Sequence, residues 1–151
     1  MTFTDTAPAT STEVRTTAPT TDLGLLVLRV VMGVVMFLHG WQKFFTNGTD
    51  GVQQMLTGAG VPLPGITAIA LPTLELIGGA LLVLGVATRV LGGLFAISMI
   101  GAIIWIHGAA GFFAADGGYE LVLVLAAIGV TLALTGAGRF SVDNAFATRR
   151  R

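Results

Sequence analysis

Residues 23–45 read LGLLVLRVVMGVVMFLHGWQKFF, an apolar run whose only ionisable residues are Arg29, His39 and Lys43. A helix needs about 20 mainly apolar residues to cross the roughly 30 Å hydrocarbon core of a bilayer, and this run is long enough. Three further apolar runs follow, at residues 66–87, 90–113 and 119–134. The pattern predicts an all-α membrane protein built as a bundle of four transmembrane helices.

The composition excludes a soluble globular protein and several kinds of chemistry. Hydrophobic residues make up 54% of the 151 residues and charged residues only 11%, whereas charged residues reach about a quarter in soluble domains. The chain has no cysteine, which excludes disulfides, thiolate nucleophiles and iron–sulfur ligation. Acidic and basic residues balance at eight each, so the charge gives no indication of a nucleic-acid partner.

The distribution of basic residues predicts the orientation in the membrane. Cytoplasmic flanks carry an excess of Lys and Arg, and the short flanks on one side of the four runs contain Arg15, Arg89, Arg139, Arg149, Arg150 and Arg151. We therefore expect a multi-pass plasma-membrane protein with both termini in the cytoplasm. Residues 1–22 are predicted to be a disordered cytoplasmic tail, residues 23–138 the membrane domain, and residues 139–151 a basic cytoplasmic tail.

Two local signals interrupt the simple four-run pattern. In the loop between the first two runs, Val52, Met55 and Leu56 recur at helical spacing, which predicts a short interfacial helix. Pro72 lies inside the second run, and because proline has no backbone N–H, we expect a kink just before Glu75.

An internal repeat is suggested by a shift of 68 residues. The shift aligns both histidines and their neighbours: Gly33, His39, Gly40, Phe44 and Phe45 fall on Gly101, His107, Gly108, Phe112 and Phe113. The alignment predicts two hairpins in the same orientation, as in parallel-repeat membrane folds. Such an arrangement would bring the two histidines to a similar depth.

Helical periodicity predicts which faces pack inside the bundle, because small residues beside charges let helices approach closely. In the first run, one face carries Arg29, Met32, Gly33, Met36, His39, Gly40 and Lys43. In the second run, Glu75 shares a face with Gly78, Gly79 and Leu82. In the fourth run, the predicted inner stripe is Glu120, Ala127, Thr131 and Gly138.

Ionisable residues within these runs are the candidate functional residues, because a charge at membrane depth costs about 2.5–3.5 kcal/mol. We predict that a carboxylate and two imidazoles share a cavity in the outer half of the bundle. The catalytic candidates are His39, Glu75, His107 and Glu120. The candidate ligand contacts are Arg29, Trp41, Lys43, Trp105 and Tyr119. No metal site is predicted.

Each ionisable candidate has a structural alternative. Arg29 either extends its guanidinium to the headgroups or forms an ion pair with Glu75. Glu75 is either part of such a structural ion pair or a proton or substrate site. Lys43 is an interfacial anchor. The histidines are paired core residues, ligands or proton donors to a quinone-like headgroup, or, less favoured, axial ligands of a b-type haem. Asp116 is an alternative cap for the fourth helix, and Arg139 and Asp143 a helix-end ion pair.

An ordered set of motifs resembles the DoxX family over about residues 23–145. It comprises Leu28-Arg29, Phe37-Leu38-His39-Gly40 with Lys43, Glu75 with Gly78-Gly79, Thr88-Arg89, His107-Gly108, Gly118-Tyr119-Glu120 and Gly138-Arg139-Phe140-Ser141-Val142-Asp143. The resemblance implies a four-helix membrane protein related to the small subunit of a thiosulfate:quinone oxidoreductase. In some actinobacterial relatives it also implies a membrane anchor for oxidative-stress and sulfur-handling enzymes.

The leading hypothesis is a redox-associated membrane subunit that holds a quinone-type headgroup or a small acid. His39 and His107 would donate protons, Glu75 and Glu120 would accept them, and Arg29 would balance buried charge. The chain lacks cysteine and nucleotide motifs, so electrons would come through a soluble oxidoreductase partner or a diffusible quinone. Two alternatives remain: a non-catalytic scaffold that recruits soluble enzymes or anionic lipid, and a proton-coupled transporter assembled as a homo-oligomer.

Overall fold

The computed structural model describes residues 19–149, and every regular element within that range is helical. The predicted helix in the first loop is present. The α-helices are α1 (Pro19–Trp41), α2 (Gly48–Gly58), α3 (Pro64–Thr73), α4 (Gly79–Leu84), α5 (Thr88–Ala102), α6 (Glu120–Thr135) and α7 (Val142–Arg149). Three π-helical segments, Gln42–Asn47, Leu74–Gly78 and Ile103–His107, extend or join these helices.

Three continuous helical segments are long and apolar enough to cross a membrane: Pro19–Gly58, Pro64–Leu84 and Thr88–Ala110. The fourth predicted run forms α6, which is equally apolar but has 16 residues. At 1.5 Å per residue, α6 is about 24 Å long, somewhat less than the roughly 30 Å core. The length and composition of the helices therefore support an α-helical membrane protein.

The helices pack as two hairpins. In each hairpin, two glycines face each other where the two backbones come close together. In the first, a Cβ on Gly33 of α1 would lie 2.8 Å from the Gly79 carbonyl oxygen. In the second, a Cβ on Gly92 of α5 would lie 2.8 Å from the Gly129 carbonyl oxygen in α6. The 68-residue shift places Gly33 on Gly101 rather than Gly92, so these contacts do not support an internal duplication.

The predicted inner face of the second run is correct, and that of the first run is correct except at His39, which is exposed, and Lys43, which is partly exposed. Along α1, the side of the helix that carries Arg29, Met32, Gly33, Met36 and Gly40 is buried. In the second run, Glu75, Gly78, Gly79 and Leu82 are all buried. A charge flanked by small residues therefore identified the packed side of both helices, because close approach of the backbones excludes larger side chains there.

The predicted inner stripe of the fourth run is wrong. The buried residues of α6 are Leu125, Ala126, Gly129 and Leu132, whereas Ala127 and Thr131 are exposed. The Thr131 hydroxyl donates to the Ala127 carbonyl at 2.9 Å. Because its hydroxyl is hydrogen-bonded within its own helix, Thr131 can face outward. A polar threonine therefore does not identify the inner face of this helix.

Arg29 and the segment after α6 join the helices at one end of the bundle, which we call the clasp end. Arg29 is 2% exposed, and its guanidinium donates to the carbonyls of Ala137 at 3.0 Å and Phe140 at 2.6 Å. Neither predicted alternative for Arg29 is correct, because its hydrogen bonds go to backbone carbonyls rather than to headgroups or Glu75. Its role here is structural.

Asp143 caps α5 across the clasp end. Its carboxylate accepts hydrogen bonds from the backbone N–H groups of Ala87 at 2.8 Å and Thr88 at 2.9 Å. The Asp143 N–H donates to the Gly85 carbonyl at 2.9 Å. The predicted helix-end ion pair between Arg139 and Asp143 is therefore wrong, since the carboxylate is committed to a helix N-terminus 55 residues earlier in the chain.

Helical structure at the clasp end reaches beyond both ends of the predicted membrane domain. The first helix begins at Pro19, four residues before the predicted start, and Asp22 is buried and accepts a hydrogen bond from the Arg139 N–H at 3.1 Å. Residues 142–149, predicted as tail, form α7. The remainder of the predicted N-terminal tail, residues 1–18, lies outside the described residues, as do Arg150 and Arg151.

Candidate functional site

A cavity of about 630 Å³ lies between the two hairpins at the end opposite the clasp. Both hairpins contribute to its wall, which is largely apolar. The lining includes Met36, His39, Lys43, Leu71, Glu75, Ser98, Met99, Trp105, His107, Leu121 and Leu125. Five of the nine predicted site residues therefore line a single cavity: His39, Lys43, Glu75, Trp105 and His107.

Each of the three π-helical segments supplies one ionisable residue to this cavity. Lys43 lies in Gln42–Asn47, Glu75 in Leu74–Gly78 and His107 in Ile103–His107. The second segment begins two residues after Pro72, where the missing N–H already disturbs the helix. π-Helical turns are rare in proteins as a whole, and those that occur are often found at functional sites.

Lys43 and Glu75 form the ion pair of the site. The Lys43 ammonium donates to both Glu75 carboxylate oxygens, at 2.6 and 2.5 Å. The Glu75 side chain is 2% exposed and that of Lys43 19% exposed. Lys43 is therefore more than the interfacial anchor that the sequence suggested, and it takes the place predicted for Arg29 as the partner of Glu75.

Gly40 lets the two halves of this ion pair meet. A Cβ at Gly40 would lie 2.8 Å from the carbonyl oxygen of Pro72 and would also collide with the backbone nitrogen of Leu76. The backbone of α1 thus touches the π-helical segment that holds Glu75. Lys43 follows one turn later and reaches across to the carboxylate.

The two histidines line the same cavity, as predicted. The His107 Nδ1 atom lies 2.7 Å from the Gly117 carbonyl oxygen. A carbonyl oxygen only accepts hydrogen bonds, so Nδ1 carries the proton and Nε2 is left to bind a ligand. His39 lies on α1, one turn before Lys43 of the π-helical segment that follows. Within residues 19–149, no three His, Asp or Glu side chains converge closely enough to hold a metal ion.

Four predicted site residues lie away from the cavity wall. Arg29 belongs to the clasp, and Trp41 is half exposed and packs on Phe45 with ring centroids 4.3 Å apart. The Tyr119 ring packs edge-on against Phe112, with centroids 5.6 Å apart. The Glu120 carboxylate accepts a hydrogen bond from the Ala114 N–H at 3.0 Å.

Tyr119 and Glu120 thus stabilise the loop before α6 and do not themselves line the cavity, although Ala114, Gly117 and Gly118 of that loop do. The Glu120 N–H donates to the Phe112 carbonyl at 2.8 Å, which closes that loop. The residue that precedes α6 is Tyr119, which forms no side-chain cap. The alternative in which Asp116 caps this helix is therefore wrong, and Asp116 lies in a 3₁₀ turn, Ala114–Asp116.

The sequence missed the residues that cover the cavity. Met55 and Leu56 of α2, followed by Val61 and Pro62, contribute to its wall. Val52 and Leu56 are buried and pack with Ala68 of α3. The spacing of Val52, Met55 and Leu56 predicted a helix. That this helix covers the cavity follows only from its packing against α3.

Comparison with known proteins identifies a family for this chain. The DoxX family model matches residues 24–108. A Bacillus subtilis (strain 168) protein named "Putative oxidoreductase CatD" is 39% identical over 122 residues, covering 81% of this chain and 86% of the relative. No solved structure matches the chain.

Two further relatives match at lower identity. A Haemophilus influenzae protein with no function in its name is 31% identical over 132 residues, covering 81% of this chain and 90% of the relative. The inner membrane protein YphA of Escherichia coli (strain K12) is 28% identical over 124 residues, covering 79% of this chain and 87% of the relative. With the family match spanning more than half of its length, the chain belongs to the DoxX family of membrane proteins.

Proposed function

We propose that this protein is the membrane subunit of a quinone-linked redox system, with a quinone-type headgroup bound in the cavity between the hairpins. The observation that carries the proposal is a largely apolar cavity of about 630 Å³ that also contains an ion pair and two imidazoles. Ligand sites commonly combine an apolar wall with a few placed polar groups. The name of the Bacillus subtilis relative adds support for a redox role.

The cavity residues have distinct roles in this proposal. Neutral His107 accepts a hydrogen bond at Nε2 from a quinol hydroxyl, and when protonated it donates to a quinone carbonyl. His39 contacts the second oxygen of the headgroup. Conversion of quinone to quinol takes two protons, delivered by these imidazoles, and two electrons, delivered by a soluble partner oxidoreductase because this chain has no cysteine for redox chemistry.

The Lys43–Glu75 ion pair keeps the cavity electrically neutral beside the headgroup and provides a carboxylate that can return protons to the histidines. Arg29 and Glu120, which the sequence included among the site residues, have no part in this proposal because they lie outside the cavity. Trp105 in the wall contacts the ring of the ligand.

The proposal includes a specific topology. α6 serves as the fourth span, paired along its length with α5, and both termini lie in the cytoplasm. Arg89, Arg139 and Arg149 belong to the flanks near the clasp end, which the positive-inside rule assigns to the cytoplasm. The cavity then opens in the outer half of the membrane, where aromatic residues such as Trp41 and Phe45 are half exposed or more.

Tryptophan fluorescence tests the binding proposal, because the chain has two tryptophans and only Trp105 lines the cavity. The purified protein in nanodiscs is titrated with a short-chain menaquinone analogue, using Trp41→Phe to isolate Trp105 and Trp105→Phe to isolate Trp41. We expect saturable quenching of Trp105 and a weaker, non-saturating response of Trp41. Free N-acetyltryptophanamide, titrated in parallel, corrects for light absorbed by the quinone.

One further variant and a matched control test the role of His39. In the Trp41→Phe background, His39→Gln should weaken binding about fivefold, the effect of one lost hydrogen bond of about 1 kcal/mol. Glu120→Gln is the matched control, since Glu120 is ionisable but lies outside the cavity, and it should leave the affinity unchanged. Equal, linear quenching of both tryptophans would contradict the proposed site.

A further inference from the structure

A second depression, of about 580 Å³, lies at the clasp end, and the quinone proposal does not use it. Arg89, at the start of α5, and Arg139, after α6, contribute to its wall. Leu25, Val90 and Ala147 provide apolar surface beside them. The depression therefore combines two guanidinium groups with an apolar flank, at the level where the apolar helices end.

The two arginines keep their hydrogen-bonding capacity largely available. Both residues are exposed. Arg89 makes one long hydrogen bond, from Nη2 to the Thr135 carbonyl at 3.5 Å. Among residues 19–149, the Arg139 guanidinium has no hydrogen bond or ion pair; only its backbone groups are bonded, to Asp22 and Asn144.

The acidic residues of the same depression are committed elsewhere. The Asp143 carboxylate accepts the N–H groups of Ala87 and Thr88, and the Asp22 carboxylate accepts the Arg139 N–H. With Arg29 buried behind them, three arginines face two aspartates, so the region has a net positive charge. The charge favours an anionic ligand, and guanidinium groups suit a phosphate oxygen pair geometrically.

We propose that this depression binds the phosphate of an anionic phospholipid headgroup. Arg89 and Arg139 contact the phosphate, and the acyl chains extend along Val90, which is 65% exposed on the outside of the bundle. The continuous apolar flank favours a lipid over free phosphate, which would gain nothing from it. The site is independent of the cavity, which lies at the opposite end of the helices.

Native mass spectrometry tests this proposal. The full-length protein is reconstituted in vesicles of equal parts phosphatidylglycerol and phosphatidylcholine, extracted in mild detergent, and the retained lipids are counted. We expect preferential retention of phosphatidylglycerol. Loss of one hydrogen-bonding contact of about 1 kcal/mol to the phosphate should make Arg139→Gln reduce that preference about fivefold, and the double variant with Arg89→Gln should reduce it roughly thirtyfold.

Two controls separate the proposed site from general charge and from misfolding. Arg149→Gln removes an exposed arginine that does not line the depression and should leave the preference unchanged. The double variant Arg89→Lys with Arg139→Lys keeps both positive charges and should retain most of the preference for phosphatidylglycerol. Arg139→Gln alone removes no side-chain hydrogen bond or ion pair within the described residues, so this variant is expected to fold normally.

Three outcomes would overturn the proposal. The first is equal retention of both lipids by the unaltered protein, and the second is an equal loss in Arg149→Gln and Arg139→Gln. The third is displacement of phosphatidylglycerol by inorganic phosphate added to the extracted protein, because it would assign the site to a free anion rather than a lipid.

Discussion

The Lys43 ammonium lies 2.6 and 2.5 Å from the two carboxylate oxygens of Glu75, although 32 residues separate them in the chain. The two residues come from different π-helical segments, and the contact of Gly40 with Pro72 brings those segments together. The ion pair thus links the segment that directly follows α1 to the π-helical middle of the second span. It is both a structural joint of the first hairpin and part of the cavity wall.

Glu75→Gln should destabilise the protein, because Lys43 would lose its only acidic partner among the described residues. We expect a loss of about 3 kcal/mol, the lower end of the range for a broken buried pair, since Lys43 keeps a fifth of its surface exposed. Thermal unfolding followed by circular dichroism in detergent measures it. The double variant Lys43→Met with Glu75→Leu, which leaves no unpaired charge, should lose less; a greater loss would contradict this interpretation.

Gly40→Ala should force α1 away from the second span, since the new Cβ would lie 2.8 Å from the Pro72 carbonyl oxygen. Overpacking of this kind costs about 1–3 kcal/mol, and we expect a lower melting temperature and weaker quinone binding together. Gly24→Ala is the matched control on the same helix, because a Cβ there meets no atom within 4 Å. It should be neutral or stabilising by up to about 1 kcal/mol.

Asp143→Ala should destabilise the clasp end, whereas Arg139→Gln should have little effect on stability. The Asp143 carboxylate caps α5 through Ala87 and Thr88, and loss of a helix cap costs about 1–2 kcal/mol. The measurement is chemical unfolding of both variants. Equal destabilisation would support the ion pair between these residues that the sequence suggested, and would contradict the cap.

The topology can be measured without removing native cysteines, because the chain has none. Gln54→Cys in α2 and Ala145→Cys in α7 place single thiols at exposed positions near opposite ends of the bundle. With both termini in the cytoplasm, a membrane-impermeant maleimide should label the first variant in intact cells. It should label the second only after permeabilisation; labelling of Ala145→Cys from outside would contradict the proposed orientation.

The site could be predicted in part. His39, Glu75 and His107 were recognisable because ionisable groups in apolar runs are costly and need a partner or a task, and all three line the cavity. The partner of Glu75 could not be chosen from the sequence, because Arg29 and Lys43 lie on the same predicted face of the first apolar run. Arg29 instead bonds to the Ala137 and Phe140 carbonyls, which come from a segment more than 100 residues later.

By itself, the amino-acid sequence determined the helices of the apolar runs, the apolar character and most of the inner faces of the first two spans. These properties depend on hydropathy and on backbone hydrogen bonds between residues three to five positions apart, so they can be read locally. The tertiary structure alone decided that Lys43 pairs with Glu75, that Asp143 caps α5, and that α2 covers the cavity. Each of these depends on distances between atoms far apart in the chain, which are set only when the helices pack.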